Sequence, residues 1–101
     1  MPRFERSIEG DCLKLGIIGA ALTYEDATEF LALARPDLAS PGFRTVAIDV
    51  TAATELSMIL VGALQVIAGK ALQQGKAMEI IGAIGQIRRL LEIEHLIETS
   101  A

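Results

Sequence analysis

Two short strand-like runs flank an early break in the chain, and in the second of them apolar and polar positions alternate. Phe4 to Ile8 and Cys12 to Ile18 flank Glu9-Gly10-Asp11, and Leu13, Leu15 and Ile17 fall on one face. A period of two marks a half-buried strand, so this stretch predicts a hairpin. From Thr23 the period changes to that of a helix, with Ala27, Phe30, Leu31 and Ala34 in step and Thr23 and Asp26 spaced as a variant capping box. This first helix is expected to end near Arg35, because Pro36 pushes the residue before it out of the helical region. A turn-rich connection, Pro36 to Phe43, leads to Thr45 to Val50, whose β-branched residues predict a central strand. A long second helix follows, capped by Thr54 or Ser57, reaching about Gln74 and stopped by Gly75. Ala77 to Ile81 reads as a strand and Gly82 to Gly85 as a turn. Ile84, Ile87, Leu90 and Leu91 give a short third helix, whereas Leu96-Ile97 carries no decisive pattern.

The order strand, strand, helix, strand, helix, strand, helix implies a mixed sheet. A hairpin pairs antiparallel, while strand-helix-strand units pair parallel. Open sheets of this kind work at the C-terminal ends of their strands, here the stretch from Asp49 to Ser57. Asp49 is expected to anchor that loop by accepting from the N–H of Thr51 or Ala52.

The second helix is the informative element. Leu56, Leu60, Ala63, Leu64, Ile67 and Ala71 gather on one side and form its core face. A solvated helix would carry Lys and Glu opposite. Instead that side holds Met58, Val61, Gly62, Gln65, Gly69 and Leu72. Each glycine costs about 1 kcal/mol relative to Ala in a helix interior, so two on one stripe call for a reason such as close approach of another backbone. Met58 beside them is an adaptable contact of the kind found on binding surfaces.

Composition narrows the partner. Thirteen acids and nine bases give a net charge of -4, and Arg88-Arg89 is the only adjacent basic pair. With Phe4, Tyr24, Phe30 and Phe43 the only aromatics, the chain lacks both the basic patch and the stacking platform of a nucleic-acid binder. A length of 101 residues suits one core, and 51 % apolar residues suit a globular one. A lone Cys12 excludes an internal disulfide and favours the cytoplasm. Met-Pro-Arg-Phe-Glu-Arg at the start does not resemble a signal peptide. The uncharged run from Leu56 to Gly69 is shorter than the roughly 20 residues a spanning helix needs, so no membrane insertion is expected.

Candidate chemistry is sparse. His95 is the only histidine, lies far from any paired nucleophile, and with one cysteine offers no metal-ligand spacing, so no catalytic residue, metal or cofactor is expected. Gly82-Ala-Ile-Gly85 follows a strand and opens a helix, which makes a nucleotide-binding domain a minor alternative. No Lys-Ser or Lys-Thr follows Gly85, and the tight turn is the simpler meaning.

Four runs together resemble the STAS domain shared by anti-sigma factor antagonists and anion-transporter tails: Val46 to Thr51, Leu56 to Val61, Gly75 to Gly82, and Ile87 to Leu91 with Leu96. The resemblance extends back to Gly19 and Leu22-Thr23. It implies an α/β fold with a mixed four- to five-stranded sheet and helices packed on it, STAS-like (SpoIIAA-like), with residues 1–101 as a single domain. In that family a strand ends in Asp, Leu, Ser, Gly, and a later Asp, Ser, Ser or Thr, Gly opens the second helix. Aligning Asp49 with the strand's Asp puts Ser57 on the second Asp, Met58 on the phosphoacceptor Ser, Ile59 on the next hydroxyl residue and Leu60 on the Gly.

The resemblance thus implies a non-catalytic, cytoplasmic, bacterial regulator of signal transduction and transcription that lacks the usual acceptor serine. Phosphate there would add a charge of about -1.5 to -2 to an apolar interface, which is how such a switch releases its partner. The expected partner-binding residues are Thr54, Ser57, Met58, Val61, Gly62 and Gln65. The partner would be an anti-sigma factor kinase-like protein. The alternative is a STAS accessory subunit of a lipid or anion transporter or of a multi-STAS complex, with a transporter subunit as partner, and a homodimer through the same face is also open. Ser57 is a candidate for a displaced phosphorylation site, but a structural cap is the preferred role.

Overall fold

The computed structural model describes residues 2–96. Its elements are β1 (Arg3–Glu9), β2 (Cys12–Ala21), α1 (Tyr24–Leu38), β3 (Thr45–Asp49), β4 (Ala53–Leu56), α2 (Met58–Gln73), β5 (Ala77–Ile81) and α3 (Gly85–Ile93). β1 and β2 form the expected antiparallel hairpin, closing from Glu9 opposite Cys12 around Gly10 at φ +61°. β3 pairs parallel with β2, and β5 parallel with β3, so the main path runs β1-β2-β3-β5. β4 pairs parallel with the far end of β2, beyond the stretch that β3 occupies.

Alternation along the strands decides what is buried. Leu13, Leu15, Ile17, Val46 and Ile48 pack under the helices with Phe30, Ala34, Leu60, Leu64 and Ile67. The opposite face carries Lys14 and Asp49, whose charged atoms lie 3.5 Å apart. Phe4 reaches α1, its ring 5.1 Å from that of Phe30, and Arg6 donates from two nitrogens to Asp37. The helix face of the hairpin is thereby fixed to α1.

Two expectations about element boundaries are corrected. α1 does not end at Arg35; it continues through Pro36 to Leu38. The ring removes one N–H, but Asp37 is held by Arg6 and Leu38 is buried in the core, and these contacts carry the last turn past the proline. The segment before α2 is a fourth strand, β4, where the sequence pattern suggested only a lead-in to the helix. Thr54 therefore lies in a strand, and Ser57 alone caps α2, its Oγ accepting from Leu60 N–H at 3.3 Å. The capping box of α1 is present as expected, with Thr23 Oγ1 and Asp26 N–H, and Asp26 Oδ2 and Thr23 N–H, paired at 3.0 and 3.1 Å. Leu96 packs against the core, and Ile97 lies outside the described residues.

Candidate protein-docking site

The loop after β3 is held from two sides. Thr51 N–H donates to Asp49 Oδ1 at 2.9 Å, the anchor expected of that aspartate, and hydrogen bonds from Thr51 together with nearby Lys14 hold the Asp49 carboxyl below its ordinary range. Gly82 closes the other side at φ +80°, where a Cβ would lie 2.1 Å from Thr51 Oγ1 and 2.9 Å from Thr51 Cα. Close packing on Thr51 accounts for the first glycine of the Gly82-Ala-Ile-Gly85 turn without a phosphate.

This loop delivers β4 and then the start of α2. Beside them lies an open groove of about 430 Å³, lined by Leu22, Thr54, Glu55, Leu56, Ser57, Gln86, Ile87 and Leu90. One wall is β4 and the cap of α2; the other is the first half of α3. The lining is mostly apolar and includes the two hydroxyls of Thr54 and Ser57.

The first turns of α2 continue this surface. Met58 is 54 % exposed, Ile59 49 % and Val66 43 %, and Gly62 sits among them in the row 58, 62, 66. A Cβ at Gly62 or Gly69 would meet nothing within 4 Å, so no neighbour in this chain requires either glycine.

The six residues singled out by sequence do not all share this surface. Thr54, Ser57, Met58 and Gly62 do. Val61 is fully buried in the core, which corrects its expected place on the outward face. Gln65 is exposed, and its amide donates to the backbone oxygen and Oε2 of Glu94, just past the end of α3, at 3.4 and 3.3 Å. Ile59 and Val66 are exposed as well, on the same side as Met58. Both sides of α2 are apolar, and the helical period alone does not say where the sheet ends and solvent begins. Leu22, Gln86 and Ile87 reach the groove only through the tertiary fold.

No family model matches this sequence, and no curated protein does. Solved structures do. The chain superposes on the anti-sigma factor antagonist SpoIIAA in its unphosphorylated form with a TM-score of 0.75, at 8 % identity over 92 % of this chain and 83 % of that one. The phosphorylated form of the Bacillus cell fate determinant SpoIIAA gives 0.78, at 8 % identity over 93 % and 85 %. An anti-sigma factor antagonist STAS domain from Rhodobacter sphaeroides is 26 % identical over 81 % of this chain and 85 % of that one, with a TM-score of 0.61. In fold, the chain is a STAS-like domain.

Within the STAS-like fold, Met58 is the first residue of α2, directly after the Ser57 cap. Its side chain is a thioether with no hydroxyl. The Ser57 hydroxyl is half-buried and engaged with Leu60 N–H.

Proposed function

We propose that this STAS-like domain is a non-catalytic regulatory module of the anti-sigma factor antagonist kind, acting over residues 1–101 as one unit and docking a protein partner on the start of α2 and the groove beside it. The observation that carries this reading is the exposed apolar Met58, Ile59 and Val66 beside half-buried Gly62, adjoining an apolar groove, on a helix where a Cβ at Gly62 or Gly69 would meet nothing within 4 Å. Large apolar side chains left in water at one place mark an interaction surface. A glycine among them lets a second backbone approach, which offsets the cost of about 1 kcal/mol it imposes on the helix.

Structures similar to this chain are described as anti-sigma factor antagonists, one of them solved in a phosphorylated form. Carried over to this chain, that comparison supports a partner-binding role, while Met58 at the head of α2 supports a form without the usual phosphate switch. Control would then come from the amount of protein or from another component.

The test compares the parent with Met58→Glu and Gly62→Arg, each first shown to keep the parent circular dichroism spectrum. All three are passed over extract of the native cell. A protein retained by the parent and lost from both variants supports the reading. A carboxylate forced into a desolvated apolar contact should weaken such a complex by about ten- to a hundredfold. The same set of proteins retained by all three would refute docking at α2.

A further inference from the structure

β4 is bonded to the sheet on one side and bare on the other. Gly19 N–H donates to Ala52 O at 3.0 Å and Ser57 N–H donates to Ala21 O at 3.1 Å, with Ala21 standing opposite Leu56. In a parallel ladder a bonding residue reaches the two neighbours of the residue it stands opposite, so Ala21, which accepts from Ser57 and stands opposite Leu56, leaves Leu56 pointing its own N–H and C=O the other way. Leu56 therefore turns both groups away from β2, toward the groove, and β4 pairs with no strand other than β2 among the described residues. An amide pair facing an apolar cleft without a protein partner is an unfilled strand position.

The far wall fits that use. Ile87 and Leu90 of α3 stand across the groove, and the space of about 430 Å³ is of the size of a short run of side chains. Side chains alternate across the pleat, so a residue paired with Leu56 would share its face and meet Leu22, Ile87 and Leu90. The residues on either side of it would emerge on the face of Glu55. That carboxylate is exposed and forms no ion pair among the described residues, and the groove lining holds no cation.

We infer that the groove between β4 and α3 receives an extended segment of a partner protein, which adds a strand to the bare edge of β4, with an apolar residue opposite Leu56 and a basic residue beside Glu55. Peptide recognition between a strand edge and a helix is an established physical mode: backbone bonds give affinity and alternate side chains give specificity. The inference rests on the proposed docking role and specifies its mode. Charge selects the segment, since an acidic residue at the same place would meet Glu55 across the strand pair.

The experiment is an NMR titration of the full chain with three short capped peptides: alternating valine and lysine, alternating valine and glutamate, and the first peptide with its central valine N-methylated. The valine-lysine peptide should shift Leu22, Leu56 and Ile87 and slow hydrogen exchange at the Leu56 amide. The valine-glutamate peptide should bind about tenfold more weakly, and Glu55→Gln should remove that difference. N-methylation should abolish the protection of Leu56. If the N-methylated peptide shifts the groove as strongly as its parent, strand addition is overturned while docking in the groove survives. Shifts confined to α2, or none with any peptide, overturn the inference, and the pull-down with Met58→Glu then judges the docking role independently.

Discussion

A Cβ added to Gly82 would overlap Thr51 Oγ1 and crowd Thr51 Cα, and the backbone there has positive φ, so this position excludes side chains twice. Gly82→Ala is expected to destabilise the fold by about 1–3 kcal/mol, read as a lower urea midpoint, and to move the amide signals of Thr51 and Ala52. An unchanged midpoint would show that the loop yields without cost. Lys76 is a second residue whose role the sequence hides. Its ammonium is buried and donates to the carbonyls of Ser40 and Phe43 at 2.6 and 2.8 Å, fastening the connection between α1 and β3. No carboxylate pairs with it among the described residues, and the carbonyl dipoles replace its hydration.

At the scale of the element, α2 sets stability against recognition. Its core face holds the expected Leu60, Ala63, Leu64, Ile67 and Ala71, and Val61 joins them against the expectation from period. Its exposed face keeps Gly62 where an added methyl meets open space. Gly62→Ala should therefore raise stability by about 0.5–1 kcal/mol in thermal unfolding, and weaken partner retention if a second backbone packs there. A gain in both would argue that nothing approaches this glycine. α1 shows a different lesson. Its capping box is local and legible from Thr23 and Asp26, but its end is not, because Arg6 and the buried Leu38 pull the chain into helix past Pro36.

For the whole molecule, three carboxylates respond to the fold. The Asp37 carboxyl is lowered by its hydrogen bonds to Arg6, that of Asp26 by the backbone at Thr23 and Leu22, and that of Asp49 by Thr51. A folded-state value below the unfolded one means that the unfolded chain binds more protons in acid. The stabilisation is complete above the ordinary carboxylate range, about pH 4, and is lost as pH falls through the lowered folded values. Stability measured by urea should be level from near neutrality down to about pH 5 and decline below it. Asp37→Asn and Asp49→Asn should each lower the plateau and flatten the acid limb; an acid limb as steep as the parent's in both would remove these groups as its cause.

The sequence by itself determined the hairpin, the central strands, all of the core face of α2 but Val61, and the α/β class, because each follows from a period of two or 3.6, from β-branched runs and from caps within a few residues. The resemblance read from those runs agrees with the solved STAS-like folds. Only the tertiary structure decided where α1 stops, that Ala53 to Leu56 pairs as a strand, and which residues of α2 meet solvent. Those outcomes depend on partners distant in the chain: Arg6 for Asp37, the end of β2 for β4, and Glu94 for Gln65. Val61 leaves its expected outward place for the core for the same reason, since a helix apolar all round is oriented by what packs against it and not by its own period.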